Sequence, residues 1–289
     1  MTRRRLDDFP QDHPAWDLLL GATPFQASSA DPRFSFSAYI PVVYRTAPDP
    51  LPLLVAVHGT GRRAEQTRDR FAAFAEEAGV VVLAPLFPMG IDDPDDVDNY
   101  KNLAYHGIRF DELLLAMVDE AAERWRIDTK RFLLVGFSGG GQFAHRFAYA
   151  HPDRLRAVSI GAPGRVTLPD AEPWPLGIGD VRDVLGVDVS LDRLARVPHQ
   201  IIVGGDDLAQ GTLAIAARDP REARAGATRV ERAHRLATEL AAHGVPTETV
   251  VVPGIAHDAG AVASDVIEFL RRALESGSAG PSNTTIRAI

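Results

Sequence analysis

Apolar residues in this chain gather into short unbroken runs that recur at intervals. Leu53 to Val57, Val80 to Ala84, Phe132 to Val135, Ala157 to Ile160, Gln200 to Val203 and Thr249 to Val252 show no alternation with polar residues. Runs of this length without alternation predict parallel strands covered on both faces. Between some of them the spacing turns helical. Phe110, Leu113, Leu114, Met117, Val118 and Ala121 mark one helix, and Phe71, Phe74, Ala75 and Ala78 another. From Phe34 to Tyr44 the pattern alternates, with Phe34, Phe36, Ala38 and Ile40 on one side, and predicts an antiparallel leading strand or hairpin. Strand and helix in alternation imply an α/β fold, a mostly parallel central sheet flanked by helices.

Three segments stand outside that alternation. Residues 1–30 read as an N-terminal extension, and residues 274–289, small and polar, as a flexible tail. Residues 161–198, rich in Pro, Gly and Trp, are too long for a simple connection and predict a lid or pocket wall inserted into a domain covering 31–273.

Composition narrows the function. With 45% hydrophobic and 24% charged residues, the 289-residue chain can bury a core, which excludes general disorder. Its 39 acidic and 31 basic side chains leave a net charge of −8, so neither a phosphate backbone nor an anionic lipid surface is attracted globally. Neither a nucleic acid nor a membrane is an expected partner, and no run approaches the ~18 apolar residues of a spanning helix. Zero cysteines remove disulfides, thiolate metal sites, iron–sulfur clusters and cysteine nucleophiles together. Arg3, Arg4 and Arg5 could open a secretory signal, but Asp7, Asp8, Asp12 and His13 stand where its apolar segment belongs, and the expectation is a cytoplasmic protein. No cofactor or metal is expected. Asp92, Asp93, Asp95, Asp96 and Asp98 form an acidic loop, yet the glycine turn and closing Glu of a calcium loop are missing, and the loop reads as solvated.

The strand at Phe132 to Val135 runs directly into Gly136, Phe137, Ser138, Gly139, Gly140 and Gly141, and then into a helical stretch from Gln142 to Ala150. This is Gly-x-Ser-x-Gly between a strand and a helix. Gly136 and Gly140 are required because the backbone closes tightly there. The following helix aims amide donors and its positive end at the turn, which suits an oxyanion. Gly139, Gly141 and Ala144 also fit a dinucleotide-binding pattern, but the next strand ends in Ser159, Ile160 and Gly161, with no carboxylate for a ribose. Ser138 is therefore read as a nucleophile.

A serine needs a base, and an imidazole is the usual one. Among nine histidines, His257 follows the Thr249 to Val252 strand in a loop just before a helical stretch near Ala259, at the carboxyl edge of the sheet where Ser138 also sits. Such a base implies activity rising with pH through an apparent pKa of ~7. His145 and His151 lie on or behind the helix after the serine and read as packing or surface residues. The carboxylate partner comes from the turn after Gln200 to Val203, where Gly204-x-x-Asp207 selects Asp207 and adjacent Asp206 is the alternative. After Leu53 to Val57 come His58, Gly59, Thr60 and Gly61, which predict that the Thr60 and Gly139 amides form an oxyanion hole. His58 reads first as a structural hydrogen-bonding residue. His58, Tyr105, His106 and Trp174 are candidates for the substrate pocket; the last three could equally pack the insertion.

These motifs, His58-Gly59-Thr60-Gly61, Gly136-Phe137-Ser138-Gly139-Gly140, Gly204-Gly205-Asp206-Asp207 and Ile255-Ala256-His257-Asp258, resemble the α/β-hydrolase superfamily across roughly residues 33 to 273. The order Ser138, Asp207, His257 is that superfamily's order. The glycine run and the stretch Arg131 to Pro163 are similar to bacterial esterases related to polyhydroxybutyrate depolymerases and feruloyl esterases. The resemblance implies an α/β-hydrolase fold and a serine esterase acting on a small or medium-sized ester through an acyl-enzyme. Dehalogenases and epoxide hydrolases share the fold but use Asp, and dienelactone hydrolases use Cys. Secreted members carry signal peptides and cysteines, and without cysteines a soluble intracellular substrate is favoured. The alternatives are an amide, lactone or thioester hydrolase on the same triad, or a noncatalytic binding protein. The oligomeric state is left open.

Overall fold

The computed structural model describes residues 4–208, 219–276 and 287–288. Seven strands form the body of one sheet: β1 (Ser35–Ile40), β2 (Leu51–Val57), β3 (Val81–Leu86), β4 (Ile127–Phe137), β5 (Leu155–Gly161), β6 (His199–Gly204) and β7 (Thr247–Val252). Their spatial order is β1-β3-β2-β4-β5-β6-β7. β1 runs antiparallel to β3, and every other pair in this series is parallel. The apolar runs thus became strands as expected, each extended by a residue or more at one or both ends where backbone pairing outlasts the apolar run.

Both faces of the sheet are covered. Side chains alternate along β2, so that Leu53, Val55 and Val57 enter one core layer, and Leu54 and Ala56 the other. The helices α1 (Ala64–Asp69), α2 (Ala72–Ala78), α3 (Phe110–Arg124), α4 (Gly139–Ala150), α5 (Arg229–Ala242) and α6 (Ala263–Glu275) supply the outer layers. Phe71, expected inside a helix, instead lies between α1 and α2. Helix α6 begins four residues later than the expected start near Ala259. No helix among the described residues is long and apolar enough to cross a membrane.

Two of the segments outside the strand–helix alternation make contacts with the body of the fold. In the segment read as an extension, Leu6, Trp16 and Leu19 enter the main core, and Gly21–Ala22 and Gln26–Ala27 pair with β1. Part of residues 161–198 packs on α4. Buried Val166, Thr167 and Leu168 lie against α4, where Tyr149 donates to the Thr167 carbonyl at 3.0 Å and Arg146 to the Thr167 hydroxyl at 2.8 Å. Most of the expected tail, residues 277–286 and 289, lies outside the described residues.

The strand order places the site. The chain leaves β2 toward β3 on one side and leaves β4 toward β5 on the other, so the connections after β2 and β4 part company and open a crevice at the carboxyl edge.

Candidate active site

Ser138 stands at that crevice, between β4 and α4, with φ 59° and ψ −114°. A non-glycine residue there is strained by about 1–3 kcal/mol, and the surroundings must hold it. They do so by close approach. A Cβ on Gly136 would lie 2.1 Å from the Gly140 carbonyl oxygen, and one on Gly140 would lie 2.3 Å from that of Val57. Bare backbone at both positions lets α4 start at Gly139, immediately after the strand and three residues before the expected start at Gln142. The Ser138 amide donates to the Gly161 carbonyl at 2.8 Å, tying the turn to β5.

His257, in the loop after β7, borders the same 490 Å³ cavity as Ser138. Its Nδ1 lies 2.6 Å from Asp207 Oδ2, while the Phe137 ring lies 4.8 Å from the imidazole, centroid to centroid. Asp207, on the turn after β6, is 1% exposed; Asp206 beside it is exposed. The turn decides between them, because the Asp207 amide donates back to the Gly204 carbonyl at 3.1 Å and the Asp206 amide to Ile255 at 2.9 Å, facing the two side chains apart. The second Asp207 oxygen accepts from Arg229 Nη1 at 2.9 Å. Nothing in the local sequence announced Arg229, which opens a helix 22 residues further on.

The imidazole titrates below its ordinary range. Burial is the main cause, Arg229's positive charge acts the same way, and the bond to Asp207 opposes them. The expected pKa of ~7 is therefore revised downward.

Thr60 lies beside Gly139, its hydroxyl 2.9 Å from where a Gly139 side chain would begin. Among the described residues, no acceptor takes the amide of either residue. Arg62 holds this loop. Its guanidinium donates to the Thr60 carbonyl at 2.7 Å, the Val97 carbonyl at 2.9 Å and Asn99 Oδ1 at 3.1 Å, and stacks on Tyr100.

The remaining pocket candidates lie elsewhere. His58 is fully buried behind the crevice, where its Nε2 accepts from the Phe87 amide at 3.0 Å and burial pushes its pKa down to about 4. Tyr105 and His106 stack at 4.0 Å on a two-stranded hairpin that borders a separate surface depression. Trp174 donates to the Asn102 carbonyl at 2.9 Å and packs against the main core. None of the four borders the cavity that Ser138 and His257 share. The cavity takes instead Arg63, Gln66, Thr67 and Arg70 from α1 and its caps, Phe71, Val262 and Val266 from one core layer, and Lys101, Gln142 and Arg165 from the other side. Among the described residues, no cluster of three His, Asp or Glu could hold a metal ion. In the acidic loop, Asp98 bonds Lys101 and Arg165, and Asp96 accepts from Asn99.

No protein-family model matches the chain. Over 217 residues, 69% of its length, it is 30% identical to the NocK esterase of Nocardia uniformis subsp. tsuyamanensis, of which it covers 59%. It spans 30% to 59% of the length of the curated relatives it matches. It superposes on LpqC, a poly(3-hydroxybutyrate) depolymerase from Bordetella parapertussis, with a TM-score of 0.68 and 27% identity over 91% of each chain. Poly(aspartic acid) hydrolase-1 from Sphingomonas sp. KT-1 shares the fold at a TM-score of 0.73 and 22% identity, covering 88% of this chain and 100% of that one. The fold is the α/β-hydrolase fold.

Proposed function

We propose that this α/β-hydrolase chain is a serine ester hydrolase that works through an acyl-enzyme. The observation carrying this reading is the strained Ser138, sharing one cavity with an imidazole whose Nδ1 is bound to buried Asp207. The NocK and LpqC likenesses support ester hydrolysis.

In this reading the Asp207 bond to Nδ1 leaves His257 Nε2 as the acceptor. Ser138 Oγ attacks the ester carbonyl carbon while its proton passes to Nε2, and the carbonyl oxygen becomes an oxyanion facing the Thr60 and Gly139 amides. The tetrahedral adduct then expels the alkoxide, which takes the Nε2 proton and leaves as the alcohol. Water repeats the sequence on the acyl-enzyme: its proton goes to Nε2, its oxygen to the acyl carbon, and Ser138 recovers its proton as the acid departs. Asp207 keeps the imidazole oriented and stabilises its cationic form.

Ser138→Ala keeps the glycines and strand that build the turn, so the variant folds. Its kcat on 4-nitrophenyl esters falls by about 10⁴-fold or more, and a fluorophosphonate probe that labels the wild type no longer reacts. Labelling at a different serine, or full activity in the variant, would overturn the assignment.

A further inference from the structure

The chain carries a net charge of −8, yet the cavity is cationic. Arg63, Arg70, Lys101, Arg165 and Arg229 border it, against one carboxylate, Asp98. Three of these cations are already neutralised. Lys101 and Arg165 share Asp98 at 2.5 and 2.7 Å, Arg165 also reaches Glu222 at 3.0 Å, and Arg229 pairs with Asp207 at 2.9 Å. Arg63 and Arg70 differ. Among the described residues neither makes an ion pair, and the residues outside the description contain no Asp or Glu. Asp258 is the acid whose charge reaches Arg70, but Asp258 Oδ1 already accepts from the Gly260 and Ala261 amides at 2.7 and 3.2 Å.

The two arginines are not scattered. Arg63 and Arg70 cap α1 at its two ends, and with Gln66 and Thr67 they occupy positions i, i+3, i+4 and i+7, one face of the helix. Ala64 and Arg68 form the buried face of this helix, so the stripe of Arg63, Gln66, Thr67 and Arg70 is its outer face, and all four residues border the cavity. Half-buried Arg70 has no contact ion pair among the described residues and feels only the longer-range charge of Asp258, while Arg63 is exposed, so both guanidinium groups are open to an incoming anion. The same lobe has an apolar wall of Phe71, Val262 and Val266 over Val135 and Ile202.

We propose that Arg63 and Arg70 bind a carboxylate carried by the ester substrate at the end of an apolar segment. The planar guanidinium fork matches a carboxylate in two parallel hydrogen bonds. The apolar wall takes the chain between that carboxylate and the scissile bond. The proposal rests on the ester-hydrolase reading, and it makes charge the specificity determinant of the site.

Two ester pairs test it. Mono-4-nitrophenyl adipate against 4-nitrophenyl hexanoate puts the charge on the acyl part; 4-carboxyphenyl hexanoate against 4-(methoxycarbonyl)phenyl hexanoate puts it on the leaving group. The quantity read is the anionic-to-neutral ratio of kcat/KM, compared between variants so that intrinsic reactivity cancels. Arg63→Gln/Arg70→Gln lowers that ratio by about tenfold or more in one pair. Arg193→Gln, a surface cation outside the cavity, leaves it unchanged. A ratio unaltered in both pairs, with the neutral esters still cleaved, overturns the carboxylate site and leaves the hydrolase reading standing. Should the double variant fail to fold by circular dichroism, the two single variants carry the same comparison. If the wild type cleaves none of the four esters, the hydrolase reading fails, and calorimetric titration with adipate decides the site. Binding that is lost in the arginine variants supports it, and no binding to the wild type overturns it.

Discussion

Both oxygens of Asp207 are engaged, Oδ2 with His257 and Oδ1 with Arg229, on a side chain closed off from water. Asp207→Asn keeps the shape but puts an amide where two donors need acceptors, and the imidazole loses the partner that fixes its tautomer. Single-turnover acylation should slow by up to ~10⁴-fold, whereas Asp206→Asn, at an exposed position, should change it by no more than about threefold. A crippled Asp206 variant beside a normal Asp207 variant would reverse the assignment. Arg229 acts through its neighbours and is a positioning residue. Neutral imidazole is the active form, and its pKa is depressed, so kcat/KM should rise with pH through a value below the ordinary imidazole pKa of ~6.5. Arg229→Gln removes a positive neighbour and should move that limb to higher pH while lowering the plateau. A limb that stays in place would mean that the Arg229 charge is not felt at His257.

At the scale of elements, the connection from β4 to α4 is built by contact distances rather than by side chains. Gly136→Ala drives a methyl group to 2.1 Å from the Gly140 oxygen, and relief requires α4 to move away from β2 and β4. About 3 kcal/mol of stability should be lost, visible as a lower urea midpoint. Gly61→Ala, whose nearest new neighbour is the Arg63 side chain at 3.9 Å, should cost under about 0.5 kcal/mol. Equal losses at the two positions would mean the crowding at Gly136 is relieved without cost. Helix α4 has a second anchor, since fully buried Arg146 bonds the Lys101 carbonyl at 2.8 Å as well as Thr167. That guanidinium, its pKa pushed down to about 9 chiefly by burial, joins α4 to the insertion and to the turn that carries Lys101.

For the whole molecule, three histidines sit neutral in the interior. Burial holds His58 and His199 at about 4, and it depresses His145 well below its ordinary value. Their folded pKa values lie below the unfolded one. Above ~6.5 neither state is protonated and full stability is present; as pH falls toward ~4 the unfolded chain takes up protons that the folded chain refuses. Each site then removes up to ~1.4 kcal/mol per pH unit. The urea midpoint should therefore fall steadily between pH ~6.5 and ~4.5, above the range where carboxylates titrate. A midpoint flat across that window would show that the buried imidazoles do not govern acid stability.

Strands, their parallel arrangement and the turn bearing Ser138 were readable from sequence because each depends on a short local pattern: an unbroken apolar run, a change of period, glycines flanking a serine. The two loop ends that supply Asp207 and His257 could be located too, since a strand's carboxyl edge follows from the strand. Between the two adjacent aspartates the Gly204-x-x-Asp spacing favoured Asp207, the one that meets the imidazole, but the side chains are oriented by the hydrogen bonds of a turn tied to a loop some 50 residues away. Arg229, Arg62 and Arg146 were invisible for the same reason: each gains its role from partners distant in sequence. For Tyr105, His106 and Trp174 the sequence left pocket and packing equally open, because an aromatic side chain marks a wall only if it faces the crevice; none of them, nor His58, borders the cavity that holds Ser138 and His257. Local periodicity thus set the framework, and tertiary packing alone chose which side chains meet across it.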